Sequence, residues 1–339
     1  MISSSGISVV MCCYNSAKRL PTTLHHLSNQ RFVENISVEL IVVNNNSSDE
    51  TARVAFQTWK ELNSPFKIKV VDELRSGLSF AREKGFEIAQ YDYILLCDDD
   101  NWLEENYLQR AFEIMQSDKS IGALGGKSSA VFEVTPPKWY DSVKGSYAVG
   151  EQMDNSGPIP DSRGYLWGAG LVIRREALQK LYKKGFKSIL SDRKGRAIMS
   201  GGDGEICAAI RLIGYTLYYH ASLKFQHYMT RERLTWPYYL KLLKSFGQAR
   251  VYLGLYDYVI SKKRSKTPLT PEEYWDNTWI VHKKAVLNSK RKLLQLWFIP
   301  REGQLSIINL QMKIGGVLEM LKVRKDYLRH IDNIYKTFL

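Results

Sequence analysis

Three aspartates in a row, Asp98, Asp99 and Asp100, follow an apolar run in the segment Y-I-L-L-C-D-D-D-N-W-L. Carboxylates this close repel one another, and each makes its neighbours harder to ionise. A hard divalent cation with oxygen ligands is the usual remedy. Mg2+ or Mn2+, shared between carboxylates and a substrate phosphate, suits the pattern. The plainer alternative is a solvated acidic turn that caps the next helix. A fourth carboxylate, Asp203, stands in S-G-G-D-G-E-I-C-A-A-I-R-L-I-G, where a helix begins. Capping alone would account for it, but the two glycines before it signal a backbone that must come close to something.

Such groups need elements to hold them. Ile7 to Tyr14, I-S-V-V-M-C-C-Y, has the unbroken apolar character of a strand covered on both faces. A helix should follow, with Pro21 in its first turn and Leu20, Leu24 and Leu27 at helical spacing. Val38 to Val43 reads as a second strand, ending in N-N-N-S-S-D-E-T, where Ser48 or Asp49 would cap a helix over Glu50 to Leu62. Phe66 to Val71 is a third strand, and Ser76-Gly77 opens another helix. Ile94 to Cys97 is the strand that carries the three aspartates. A helix over Leu103 to Gln116, a strand at I-G-A-L-G-G, an apolar stretch from Tyr165 to Arg174 and a helix over Glu176 to Lys183 are expected next. Alternating strands and helices predict an α/β fold with a doubly wound, mostly parallel sheet and flanking helices. Ligands of such sheets bind beyond the carboxyl ends of the strands. Farther on, helices are expected over Tyr238 to Tyr252 and Ile307 to Tyr335, with Ser261 to Pro271 as an exposed linker.

The 339 residues are 44% hydrophobic and 24% charged, which is ordinary for a globular protein. No apolar run approaches the length of a bilayer span. The opening M-I-S-S-S-G-I-S-V-V-M lacks the charged start of a signal peptide, so a cytoplasmic location is expected. Cys12, Cys13, Cys97 and Cys207 have no metal-ligand spacing and read as buried packing residues in a reducing compartment. The net charge of +13 is unevenly placed: 26 Lys and Arg face 26 Asp and Glu up to residue 220, and 22 face 9 beyond it. A basic C-terminal part calls for an anionic partner, such as nucleic acid, a phosphorylated lipid or an anionic membrane surface.

Five motifs in order carry a family resemblance. I-S-V-V-M-C-C-Y-N, V-V-N-N-N-S-S-D-E-T, G-L-S-F-A-R-E-K-G, L-L-C-D-D-D-N-W-L and G-G-D-G-E-I-C are similar to the successive motifs of the family-2 glycosyltransferases, which have the GT-A fold. The likeness runs from about Ile7 to Leu234. It implies a catalytic domain over 1–235, with a nucleotide-sugar part about 1–125 and an acceptor part about 126–235, followed by a basic, mainly helical region over 236–339. Three departures stand out. Asn44 and Asn45 replace the usual aspartates, Lys84 stands where Asn is usual, and Gly202 replaces the Glu of the family's E-D motif. An amide both donates and accepts, so Asn45 keeps the means to pair with uracil.

The resemblance implies a metal-dependent, inverting transfer of a sugar from a nucleotide diphosphate sugar, with a UDP-sugar favoured, to a hydroxyl of a glycan or lipid-linked acceptor in cell-surface polysaccharide synthesis. It assigns Asp203 as catalytic base with Glu205 in reserve. Asp98, Asp100 and His227 would hold Mn2+ or Mg2+. Cys13, Asn15, Asn45, Ser47, Arg82, Asp99 and Arg233 would bind the nucleotide sugar, with Arg231 as an alternative phosphate partner. Trp139, Tyr165 and Trp167 suit stacking on sugar faces, or core packing. The basic C-terminal part would meet the inner face of the cytoplasmic membrane as a peripheral contact; a nucleic-acid partner is not expected. Competing readings fit less well. An aspartyl-phosphate phosphatase needs Thr or Val where Trp102 stands. A nucleotidyltransferase needs a glycine-rich loop where Cys13-Tyr14-Asn15-Ser16 stands. A nucleic-acid- or membrane-binding protein without catalysis explains the charge but not five ordered motifs.

Overall fold

A computed structural model describes residues 5–33, 36–190, 200–264, 269–289 and 302–338. The first residues of the opening segment and the middle of the expected linker, 265–268, lie outside the described residues. Strands β1 (Gly6–Cys13), β2 (Ser37–Asn44) and β3 (Lys67–Asp72) alternate with helices α1 (Leu20–Ser28), α2 (Thr51–Glu61) and α3 (Leu78–Ile88), and β4 (Tyr93–Leu96) follows. β1 pairs in parallel with both β2 and β4, and β2 with β3. The expected doubly wound half is therefore present, with its boundaries within a residue or two of the sequence reading.

The second half is mixed. Short β5 (Asn101–Leu103), helix α4 (Tyr107–Ser117), β6 (Ile121–Phe132), two-residue β7 (Gly157–Pro158), β8 (Leu171–Arg174), helices α5 (Arg175–Lys183) and α6 (Gly202–Leu212), and β9 (Thr216–Met229) complete a single sheet ordered β3-β2-β1-β4-β8-β6-β9-β5, with β7 beside β9. β8 runs antiparallel to β4 and β6, while β6 and β9 are parallel.

Two expectations fail here. The helix expected from Leu103 starts at Tyr107, because Asn101–Leu103 pairs antiparallel with Phe225–His227. Trp102 adds to that pairing, its ring stacked between His26 and Tyr228 at centroid distances of 5.4 and 5.2 Å. The long strand β9 has no counterpart among the expected elements, although its burial alternates for much of its length.

Alternate residues along the central strands feed opposite faces of the sheet. Val10, Ile41, Val43, Ile94 and Leu96 join one apolar layer, and Val9, Met11, Leu40, Val42 and Leu95 the other. Each such fully buried side chain contributes about 1.5–3 kcal/mol. The first layer extends into the C-terminal helices: α7 (Trp236–Lys263) supplies Val251, Leu255 and Val259, α9 (Ile308–Val323) supplies Met320, and α10 (Tyr327–Phe338) supplies Ile331. α8 (Pro271–Leu287) lies between α7 and α9 in the chain and carries a full capping box at Thr270 and Glu273. α7 outruns the expected Tyr252 end. The single helix expected over Ile307 to Tyr335 is two, parted by a turn at residues 324–326. α7 and α9 cross closely through glycine: a Cβ on Gly247 would stand 1.8 Å from the Met312 carbonyl oxygen, and one on Gly315 2.1 Å from that of Lys244. Among the described residues no helix is long and apolar enough to cross a membrane.

Candidate active site

The carboxyl ends of β1 and β4 lie side by side, and the turn after β4 carries the aspartates. Asn101, wholly buried, ties that turn: its Oδ1 accepts from the Asp98 N–H at 3.2 Å and its Nδ2 donates to Asp100 Oδ1 at 3.0 Å. Mutual repulsion among the three carboxylates is met by two arginines. Arg19, just before α1, holds Asp99 Oδ2 at 2.6 Å, and Arg233 holds Asp100 Oδ2 at 2.7 Å. Asp99 nevertheless has its pKa raised, by burial first and by the charge of Asp100 second, with Arg19 opposing both. His227, on β9, places Nε2 3.3 Å from Asp100 Oδ1 and 3.3 Å from Arg233 Nη1.

The three aspartates, Arg19, Arg233 and His227 line one cleft of about 920 Å³, and so does Asp203. Asp203 lies in the first turn of α6, entered through Gly201 at φ +117°, a left-handed conformation that glycine adopts without strain. Two backbone N–H groups fix its carboxylate: Gly168 donates to Oδ2 and Gly204 to Oδ1, each at 2.9 Å. Gly168 belongs to the apolar stretch from Tyr165 to Arg174. A Cβ there would stand 3.1 Å from Asp203 Cβ and 3.0 Å from Arg82 Nη2. The loop before β8 thus brings a carboxylate from α6 and a guanidinium from α3 together.

The expected nucleotide-binding residues divide. Cys13, Asn45, Arg82, Asp99 and Arg233 line the cleft; Asn15 and Ser47 do not. Those two brace the loops after β1 and β2: the Asn15 N–H donates to Ser47 Oγ at 3.0 Å, and Asn15 Oδ1 accepts from the Ser48 N–H at 2.8 Å. Asn45 also builds the loop. Its Nδ2 donates to the Glu73 and Arg75 carbonyls, and its Oδ1 accepts from the Gly77 N–H at 2.9 Å. The thiols at the end of β1 are kept protonated by burial, which raises Cys13 well above its usual range and Cys12 to about 12.

Three other candidates do not line the cleft. Glu205 faces the core, not the cleft, and its pKa is raised by burial despite donors from the Ile189 and Leu190 N–H groups and the Tyr256 hydroxyl. Trp139 is buried against Trp236 and Tyr239. Arg231 donates its backbone N–H to Glu133. Trp167 and Tyr165 do reach the cleft, with the Arg163 guanidinium 5.5 and 5.0 Å from their ring centres.

Sequence reasoning missed several lining residues. Arg19 left one faint signal, a cation where a helix N-terminus disfavours it. Tyr147, His282 and Lys313 left none, because they arrive from a loop and two helices remote in sequence.

The description "Glycosyl transferase family 2" matches residues 8–182, just over half of the chain. The chain belongs to this family. It is an α/β glycosyltransferase with a helical C-terminus. The chain is 32% identical over 105 residues to the protein EpsH of Bacillus subtilis, covering 31% of this chain and 29% of that one. It is 30% identical over 122 residues to the poly-β-1,6-N-acetyl-D-glucosamine synthase of Staphylococcus epidermidis, covering 36% and 28%. The chain thus aligns with under a third of the length of these relatives. The crystal structure of S. aureus TarS 1–349 in complex with UDP-GlcNAc superposes over 98% of this chain and 89% of that one, with a TM-score of 0.54 and 15% identity, a likeness of fold.

Proposed function

We propose that this glycosyltransferase moves a sugar from a nucleotide diphosphate sugar, with a UDP-sugar favoured, to a hydroxyl of a glycan or lipid-linked acceptor in polysaccharide synthesis, with inversion at the anomeric carbon. One observation carries the reading: the aspartates after β4 and the separate carboxylate of Asp203 face the same cleft. Asp203 takes the proton of the acceptor hydroxyl as its oxygen bonds to the anomeric carbon and the bond to the β-phosphate oxygen breaks. Its two backbone donors hold the carboxylate in one orientation, which raises the fraction of encounters that are productive. Arg233 and Arg82 supply positive charge for the departing diphosphate. The names of relatives support the substrate class: one is a polysaccharide synthase, and TarS was solved with UDP-GlcNAc.

Among the described residues no three His, Cys, Asp or Glu side chains are grouped to hold a metal ion by themselves. Asp100 and His227 nevertheless converge, with Asp98 lining the same cleft. Two protein ligands completed by substrate phosphate oxygens are enough for Mg2+ or Mn2+. His227 Nδ1 and Arg233 Nε are buried without a partner among the described residues, as expected of a site that a ligand or its waters would complete. Bound there, the ion would neutralise the negative charge of the diphosphate. Functionally, residues 1–125 would serve the donor, 126–235 the acceptor, and the basic region 236–339 a peripheral contact with the inner face of the membrane.

Asp203→Asn is the direct test. It should lower the transfer rate by about 10²- to 10⁴-fold while nucleotide affinity stays within a few-fold. A variant that retains its rate would remove Asp203 from the role of base.

A further inference from the structure

The cleft does not stop at Asp203. The N-terminal turn of α6 abuts α7: a Cβ on Gly204 would lie 3.2 Å from Leu253 Cδ1, and one on Gly201 2.8 Å from Ala249 Cβ. From there the wall is made by the C-terminal helices, which contribute Arg250 from α7, His282 from α8 and Lys313 from α9. The donor reading uses none of the three. All three line the same wall; the His282 imidazole has its pKa lowered, by burial first, with the Thr278 carbonyl opposing and the charges of Lys313 and Arg250 adding to the lowering. His282 Nδ1 is held by the Thr278 carbonyl at 2.9 Å, and Nε2 would stand 3.0 Å from a Cβ on Gly316. Two carboxylates lie nearby. Asp257 meets Arg250 at 3.3 Å where both are solvent-exposed, and Glu319 is engaged by Gln248, Tyr252 and Lys322. The two cations, Arg250 from α7 and Lys313 from α9, cost stability side by side unless an anion joins them. Beside them the same wall is apolar, with Phe246, Leu253 and Met312.

We propose that this end of the cleft binds a phosphate ester carried on an apolar chain, with Arg250 and Lys313 on the phosphate, His282 in the wall between them, and Phe246, Leu253 and Met312 against the chain. The inference rests on the sugar-transfer reading for its meaning: the acceptor would be a lipid-phosphate-linked saccharide, its hydroxyl delivered to Asp203. It also explains why the helical region is built into the cleft wall rather than hung from the sheet.

Binding of three probes to the full chain tests this: octyl phosphate, inorganic phosphate and octyl glucoside, each titrated alone and with excess UDP. Octyl phosphate should bind at least about tenfold more tightly than either of the others, and UDP should not displace it. The Arg250→Gln/Lys313→Gln double variant should lose up to about a hundredfold of that affinity, because each charge-assisted contact is worth about tenfold. Arg250→Gln alone, at an exposed position, should lose part of it with an unaltered thermal melt. Unchanged binding by the double variant, or displacement by UDP, overturns the site. Equal affinity for octyl phosphate and inorganic phosphate, both weakened in the variant, overturns the lipid half and leaves a phosphorylated glycan as the source. Equal affinity for octyl glucoside and octyl phosphate overturns the anionic half. Because no donor or turnover is needed, tight octyl phosphate binding by a protein inert toward every nucleotide sugar would count against the transfer reading alone.

Discussion

Gly168→Ala probes the joint between the loop before β8 and the carboxylate of Asp203, the proposed base. The added methyl would sit 3.1 Å from Asp203 Cβ and 3.0 Å from Arg82 Nη2. Carbon atoms pack at about 3.5–4.0 Å, so relief requires a displacement of about half an ångström. Arg82 can yield, since its contact is the far end of a long side chain. Asp203 cannot easily do so, because Cβ is one bond from the backbone of α6. A misplacement of about 1 Å at a reacting group costs on the order of 10²-fold, so half of that costs about tenfold. The hydrogen bond from the Gly168 N–H to Asp203 Oδ2, now 2.9 Å, would bend or lengthen as well. A donor to a charged acceptor is worth about 1.5–3 kcal/mol, which sets the outer bound of the loss near 10²-fold or slightly beyond. Crowding should cost about 1–3 kcal/mol of stability, leaving a folded enzyme. The assay is steady-state transfer with a responsive nucleotide sugar, together with nucleotide affinity by calorimetry and a thermal melt. The expected result is a kcat about 10- to 100-fold lower, with nucleotide affinity nearly unchanged. A kcat within twofold of the parent, or an affinity that falls in step with the rate, would refute the coupling of this glycine to Asp203 as the proposed base.

Two further outcomes are expected. Burial raises the Glu205 pKa above its ordinary 4.5, so the folded state holds that proton more tightly than the unfolded state. Its contribution to stability is present below pH about 4.5 and is lost as pH rises through the higher folded value. Glu205→Gln should therefore flatten the dependence of denaturation midpoint on pH across that interval, and at neutral pH cost about 1–3 kcal/mol through mismatched donors; a 10²-fold drop in kcat of the folded variant would instead make Glu205 the base. If Asp100 and His227 share a divalent ion, Mn2+ should raise nucleotide affinity at least about tenfold over a chelated sample, and Asp100→Asn should abolish the difference. Identical calorimetric titrations of the parent with Mn2+ and with chelator would remove the ion from the site.

The family and the first half of the sheet were legible in the residues themselves. Central parallel strands are apolar on both faces, so β1, β2 and β4 declare themselves without knowledge of their neighbours, and ordered motifs place Asp98 to Asp100 and Asp203 at the ends of elements. Local patterns could not show that Asn101–Leu103 is a strand, because its pairing partner lies more than a hundred residues away on β9. Nor could they show how the aspartates are neutralised. Adjacent carboxylates announce a need for positive charge, but a guanidinium and a metal ion meet that need equally well. Only the folded chain brings Arg19 and Arg233 to Asp99 and Asp100. The distinction between Asp203 and Glu205, two residues apart on α6, was decided in the same way. A helix turns about 100° per residue, so their side chains leave on different faces, one toward the cleft and one toward the core. Composition showed that the C-terminal part is basic; its place in the cleft wall is a product of glycine-mediated helix crossing and long-range burial, which no window of sequence contains.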